Sequence, residues 1–294
     1  MAETWAGSTV PRRQLGRYLS GLRAQAGLTV RAAAKELERS EPTMWRIEAG
    51  KTSVRSIEVE AMCRLYGADE KMTEALKALA KETKAKGWWQ AYGDVLPEWF
   101  DLYVGLEAAA NRISWYEPEV VPGLFQTEHY ARALTLLDHP GADEGEVERR
   151  VQLRMERQAI LKRPIDPPTL RVVLGEAVVV SPAREPGVMA AQLRKLAEVS
   201  ELPNVDLRIV PFSAGLHPGR TTGAFEILRF PVNGSGLESE PPTVYSDLYT
   251  GAIYLDKPSE VARYDQAFSG IWDAALDEDR SRDRIRQTAE AIEI

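Results

Sequence analysis

The sequence predicts an all-α N-terminal domain of five helices followed by an α+β domain with a partly antiparallel sheet. Three observations predict this. Through the first 86 positions apolar residues recur at helical spacing, punctuated by single glycines and capping hydroxyls. Beyond about residue 100, helical stretches alternate with short runs rich in Val, Ile, Leu, Phe and Tyr, and the last runs lie too close together for helical crossovers. Charge divides at the same place. Residues 1–86 carry 16 Lys and Arg against 11 Asp and Glu, net +5, and the remainder carries 21 against 33, net −12, within a total of −7 over 294 residues.

Residues 11–25 place Leu15, Leu19 and Leu22 on one helical face, with Pro11 at the start and Gly27 just past the end. A short second helix runs from Thr29, whose hydroxyl can cap it, to Leu37. Ser40 can cap a third, where Pro42 is tolerated because first-turn N–H groups have no helical partner. Met44 and Ile47 form its inner face, and Gly50 ends it. A fourth helix covers residues 56–66 and stops at Gly67; a fifth covers about 69–84. Residues 87–99 hold Trp88, Trp89, Tyr92 and Trp99, with Gly93 and Pro97 as breakers. This is an aromatic junction rather than a flexible tether, since tethers are rich in Gly, Ser or Pro. From residue 100 to 294, helices are expected at about 101–114, 127–137, 144–161, 187–202 and 261–276. Strands are expected at about 169–174, 205–211, 223–230 and 243–248, with a polar loop at 233–242.

Hydrophobic residues at 44% and charged residues at 28% are globular composition with material for a sizeable core. The single cysteine, Cys63, excludes an internal disulfide framework and falls among helix-packing residues. His129, His139 and His217 lack metal-ligand spacing. Neither a Gly-x-Ser-x-Gly elbow nor a phosphate-cradling glycine loop before a helix is present. Glu176, Asp206, Glu226 and Asp247 lie near predicted strands, where a pair could do acid–base chemistry, but strand alternation accounts for most of them as solvent-facing. The expectation is therefore a protein that is not an enzyme and uses no cofactor and no metal. No N-terminal signal and no apolar run of the roughly 20 residues that span a bilayer is seen, so a cytoplasmic location without membrane contact is expected.

Residues 28–51, Leu-Thr-Val-Arg-Ala-Ala-Ala-Lys-Glu-Leu-Glu-Arg-Ser-Glu-Pro-Thr-Met-Trp-Arg-Ile-Glu-Ala-Gly-Lys, carry the main functional signal. Two short helices joined by a tight turn need small residues where they cross, and Ala33 and Ala34 supply them. Leu37, Met44 and Ile47 fill the wedge, which leaves the N-terminal half of the third helix open to a DNA major groove. Together with the ending Arg46-Ile-Glu-Ala-Gly-Lys51, the segment resembles the phage-repressor-like, xenobiotic-response-element type of helix-turn-helix regulator over roughly residues 12–80. One departure is Glu38, where the turn often has glycine; the residue either avoids positive φ or accepts strain. The resemblance implies base-facing positions at Glu41, Pro42, Thr43 and Arg46. It leaves Thr29, Arg31, Arg39, Ser40, Lys51 and Arg55 for phosphates, which give affinity without sequence information. It further implies an ion pair between Arg23 and Glu48 that braces the fold and touches no base. Double-stranded DNA is the implied partner, bound by a homodimer because one recognition helix reads only a few base pairs.

A second resemblance covers about residues 100–290. Leu106-Glu-Ala-Ala-Ala-Asn-Arg-Ile113, Trp115 to Arg132 with its Val120-Val-Pro-Gly-Leu-Phe-Gln126 turn, the block from Arg150 through Arg154 and Arg157, Gly175-Glu-Ala177, Gln192-Leu193, Asn204 to Phe212 and Thr243-Val-Tyr245 are similar to a domain of unknown function. That domain occurs in WhiJ-like actinobacterial regulators. The resemblance implies regulation, through a sensed ligand or through a small partner protein encoded nearby, and assigns no catalytic residue. The leading expectation is a sequence-specific transcription regulator, nucleoid-associated when bound to DNA. The alternative is an antitoxin-like or adaptor protein that sequesters a small partner and autoregulates through DNA. Arg150, Arg154 and Arg157 share one helical face, where pairing with Glu146, Glu148 and Glu156 is the plain expectation.

Overall fold

The computed structural model describes residues 10–82, 88–164, 166–183, 187–232, 238 and 240–292. These form two compact units. The first comprises the described residues up to Ala91 together with Pro97–Ala109; the second comprises Tyr92–Leu96 and the described residues from Ala110 onward.

The first unit is helical. It contains α1 (Val10–Gln25), α2 (Val30–Glu36), α3 (Glu41–Glu48), α4 (Ser56–Tyr66), α5 (Glu70–Glu82) and, after a 3-10 turn at Trp88–Tyr92, α6 (Glu98–Ala109). Asp69 caps α5 by accepting the Met72 N–H at 2.7 Å, and the end of that helix expected near residue 84 lies outside the described residues. Leu15, Leu19, Ala33, Ala34, Met44, Ile47, Val59, Met62, Cys63 and Leu76 make one core. Its tightest crossing is α1 on α3. A Cβ on Gly16 would lie 2.5 Å from the Glu48 carbonyl oxygen and 2.7 Å from that of Ile47, so no larger residue fits without separating the helices. The ends of α1, α2, α3 and α4 share one device, in which an N–H beyond the helix returns to a carbonyl five residues back. The four bonds are Leu28 to Arg23, Arg39 to Ala34, Lys51 to Arg46 and Ala68 to Cys63. The pivot residue is left-handed each time: Gly27, Glu38, Gly50 and Gly67. Glu38, at φ 52°, accepts the strain that glycine avoids.

In α6 the Trp89 indole donates to Asp101 at 2.7 Å, and the buried Tyr103 hydroxyl donates to Glu107 at 2.6 Å. The aromatic junction is thus divided by membership. Tyr92–Leu96 belongs to the second unit, where the Tyr92 hydroxyl donates to Glu156 at 2.6 Å and Arg150 donates to the Val95 carbonyl at 2.7 Å.

The second unit is built on six strands: β1 (Arg112–Glu117), β2 (Thr169–Gly175), β3 (Val205–Val210), β4 (Phe225–Arg229), β5 (Thr243–Leu248) and β6 (Gly251–Leu255). Their order is β3-β2-β1-β4-β5-β6. The β1, β2 and β3 pairings are parallel, and the β1–β4, β4–β5 and β5–β6 pairings are antiparallel. The helices are α7 (Glu128–Asp138), α8 (Glu144–Arg157), α9 (Glu176–Val180), α10 (Val188–Val199), the single turn α11 (Gly219–Thr222), α12 (Pro258–Ala274) and α13 (Glu278–Ile292). Val261, Phe268, Ile271 and Trp272 of α12 pack on Tyr116, Val173, Phe225, Ile227 and Val244, which identifies the sheet face that α12 covers.

Several expectations are corrected here. The helix expected at 101–114 ends at Ala109, and its tail is the central strand β1. Ile113 and Trp115 are buried on one face and Tyr116 on the other, so the alternation of β1 covers only Arg112–Trp115, four residues that follow directly on the helix. Strand β6 and helix α13 had no counterpart in the sequence reading. Glu176 and Glu226 are buried rather than solvent-facing; Glu176 accepts the Phe212 N–H at 2.7 Å and an Arg284 guanidinium N–H at 2.6 Å. On α8 Arg150 takes its expected local carboxylate, Glu146, at 2.8 Å, whereas Glu148 pairs with Arg132 and Glu156 with Tyr92. Most of the polar loop expected at 233–242 lies outside the described residues.

Two substitutions with opposite sign follow. Gly16→Ala pushes α3 off α1 and lowers stability of the N-terminal unit by about 1–3 kcal/mol, the usual effect of overpacking. Glu38→Gly relieves the left-handed strain and raises stability by about 1 kcal/mol. Urea unfolding followed by circular dichroism measures both.

Candidate nucleic-acid interface

Residues 29–51 form two helices and a tight turn, each helix started by a hydroxyl. Thr29 accepts the Ala32 N–H at 3.1 Å at the head of α2. Ser40 accepts the Thr43 N–H at 3.3 Å at the head of α3, and its hydroxyl also lies 2.9 Å from that of Thr43. Buried Met44 and Ile47 face inward from α3. Glu41, Pro42, Trp45, Arg46 and Ala49 are exposed and lie on the opposite side at the spacing of one helical face. Trp45 keeps 64% of its surface accessible, and the sequence reading did not single it out. Its signal was available, since an inner face at positions 44 and 47 turns position 45 outward.

The cations around this face fall into two groups. Arg31 lies 3.6 Å from Glu41. Arg39 and Arg55 converge on one carboxylate, Glu58 of α4; Arg39 hydrogen-bonds to it directly and the Arg55 Nε lies 3.2 Å away. Glu58 also accepts the Arg55 backbone N–H at 3.0 Å, which caps α4. Burial by itself would raise the Glu58 carboxyl, but the Arg55 hydrogen bonds and the Arg39 charge hold it below the usual carboxylate range. Arg46 and Lys51 are different: both are exposed, and neither has an acidic partner among the described residues.

Beneath this surface Arg23 and Glu48 meet. The Arg23 Nε and Nη2 donate to the two Glu48 oxygens at 2.6 and 2.7 Å. The Nη1 donates to the Leu28 carbonyl at 2.8 Å. One guanidinium therefore ties the ends of α1 and α3 to the start of the α2 segment. Its hydrogen bond to Glu48 raises the arginine above its usual range. Burial, followed by the Glu48 charge, pushes the neighbouring Tyr66 hydroxyl up to about 12. This pair faces the interior, apart from the exposed face of α3.

Among the described residues no helix is long and apolar enough to cross a membrane, and no group of His, Cys, Asp and Glu could hold a metal ion. The geometry of the first unit is that of a helix-turn-helix domain, and a family model described as helix-turn-helix domain matches residues 14–76. A second, described as Domain of unknown function (DUF5753), matches residues 100–287, the greater part of the chain. The chain belongs to that DUF5753 family, carried behind a helix-turn-helix domain. No curated protein and no solved structure matches it.

Arg23 and Glu48 keep only 14% and 9% of their side-chain surfaces, so deleting one partner strands a charge. Arg23→Ala or Glu48→Ala lowers stability of the N-terminal unit by about 3 kcal/mol, at the low end for breaking a buried pair. The double variant loses less than the sum, and a urea double-mutant cycle reads the coupling.

Proposed function

We propose that this protein is a sequence-specific DNA-binding transcription regulator of the xenobiotic-response-element type, with a regulatory C-terminal domain like that of the WhiJ-like regulators. The observation that carries this reading is the bare outer face of α3. It presents Arg46, and Lys51 just beyond it, without acidic partners among the described residues, on a helix whose core side and C-terminus are both fastened. Arg46 reads guanine through O6 and N7, a contact worth about 1–3 kcal/mol of discrimination. Glu41, Pro42 and Thr43 shape the remaining base contacts. Trp45 adds an apolar ring for a thymine methyl or a sugar. Lys51, Thr29, Arg31, Arg39, Ser40 and Arg55 take phosphates. The Arg39 and Arg55 pairs with Glu58 are exposed enough to be exchanged for phosphate, since such pairs contribute roughly 0–1 kcal/mol. The active species is a homodimer on two half-sites. The acidic C-terminal domain is not catalytic; it adjusts DNA binding in response to a small molecule.

A second reading makes the C-terminal domain the seat for a small partner protein, in the manner of an antitoxin or adaptor. The −12 net charge beyond residue 86 favours a basic partner in that case. Co-purification of such a protein at equal stoichiometry, with DNA affinity unchanged by small molecules, selects it.

Binding of Arg46→Ala and Lys51→Ala to cognate and random duplexes across a salt series tests the DNA reading. Arg46→Ala loses cognate affinity by about 1–3 kcal/mol and relaxes one base position. Lys51→Ala weakens all sequences alike and lowers the salt slope by about 1. Equal losses on cognate and random DNA for Arg46→Ala overturn direct readout.

A further inference from the structure

The two edges of the six-stranded sheet are finished differently. At the β3 edge the Ile209 N–H donates to the buried Ser281 hydroxyl at 3.0 Å, and the Ile209 carbonyl accepts the Leu276 N–H at 2.8 Å. The start of α13 and the segment before it therefore take the ladder positions that a further strand would use. The opposite edge is β6, the last strand in the order of the described residues. It pairs with β5 in an unbroken register, from Val244 with Leu255 to Leu248 with Gly251, so no bulge twists it away.

Edge strands that stay single are blunted by lysine, proline, bulges or a covering element. The sequence of β6 is Gly-Ala-Ile-Tyr-Leu, with no charge and no proline. Apolar exposure gathers on the same hairpin. Ile253 keeps 41% of its surface accessible, and at the tip Leu248 is exposed and Tyr249 is 92% exposed. The two faces of β6 are set by its neighbours. Leu255 packs with Val244 and Val261 on the α12 side, and Ile253, two residues back, shares that side. Tyr254 lies on the other side, its ring 5.2 Å from that of Tyr245.

We propose that the outer edge of β6 pairs antiparallel with β6 of a second copy of this chain, about a two-fold axis at Ile253, so that two sheets join into one. A two-fold axis normal to an antiparallel pair passes between a residue and its own copy. Ile253 is the middle residue of β6, so an axis there pairs the whole strand. The proposal rests on the homodimer reading and gives that dimer its interface.

The strand is complementary to itself in this register, in size and in charge. Gly251 comes opposite Leu255 and Ala252 opposite Tyr254, so each large side chain meets a small one. Ile253 meets its copy on the α12 side and covers the apolar surface that it exposes in the single chain. Just past the strand ends, Asp256 comes beside Thr250 of the copy and Lys257 beside Tyr249. No like charges are opposed, and the exposed Lys257 ammonium reaches an exposed aromatic ring. A strand matched to its own reverse selects a second copy over an unrelated strand.

Light scattering of the full chain over a range of micromolar concentrations, with two kinds of variant, tests this. The expected result is a mass of two chains for the wild type. Ile253→Lys sets two like charges on the axis and weakens the dimer about tenfold or more. Thermal unfolding followed by circular dichroism checks that this variant folds. Cysteine cross-linking reads the register and does not depend on it. Copies of residue 253 lie about 5 Å apart between Cα atoms, within disulfide reach, whereas copies of residue 252 lie about 8 Å apart, beyond it. Diamide oxidation therefore links Ile253→Cys chains into a covalent dimer and leaves Ala252→Cys chains unlinked; the native Cys63 is buried. A dimer that withstands Ile253→Lys in a folded chain, fails to link through Ile253→Cys, or links equally through Ala252→Cys overturns the β6 interface and keeps the homodimer. A wild-type chain that is monomeric at every concentration overturns both.

Discussion

The Arg23–Glu48 pair is the constraint on which the exposed face of α3 depends. Helix α3 has eight residues, too few to persist by itself in water. It must be held from its inner face and its C-terminus so that its outer face carries no structural duty. Met44 and Ile47 hold the inner face. Arg23 holds the end, and the same guanidinium reaches the Leu28 carbonyl, so the orientation of α3 and the entry to α2 are set by one side chain. Gly16 lets α1 approach the last carbonyls of α3 closely enough for that reach. Met44, Ile47 and Arg23 hold α3 from within, while Pro42, Trp45 and Arg46 on its outer face stay exposed.

Electrostatics within the first unit follow the same separation. Glu58 gathers Arg39 and Arg55 while capping α4, which orders two cations on the surface that flanks α3. Arg46 and Lys51 stand exposed without acidic partners among the described residues. A net of +5 is modest for a nucleic-acid module, so the distribution of charge carries more meaning than its sum.

In the second unit, residues that the sequence marked as a family pattern fasten loops at both ends of the parallel strands. Gln192 clamps the turn before α7, Glu176 joins the segment after β3 to α13, and Asn204 donates to the Leu161 and Pro168 carbonyls ahead of β2. Buried polar groups are retained where they are fully hydrogen-bonded, and here they hold irregular backbone that no ladder supports.

The N-terminal helices were legible in the sequence because their signals are local. Thr29 and Ser40 start helices, Gly27, Gly50 and Gly67 stop them, and Met44 and Ile47 mark an inner face, all within a few residues of one another. The family resemblance implied Glu41, Pro42, Thr43 and Arg46 as the outward residues of α3; Glu41, Pro42 and Arg46 are exposed, Thr43 is half-buried, and exposed Trp45 was missed. The strand at 112–117 was not legible, because its alternation covers only Arg112–Trp115 before Tyr116 breaks it and its apolar residues read on from the helix before it. Nor were the positions of Glu226, Arg154 and Arg157. Their surroundings come from elements far apart in the chain, β1, β4, β5 and α8, and long-range packing decides which of their charges meet. The sequence by itself determined a helix-turn-helix domain and the inner face of its third helix. Only the tertiary structure decided where the second unit gathers its buried charge, because local periodicity specifies a side chain's direction and not what lies opposite it.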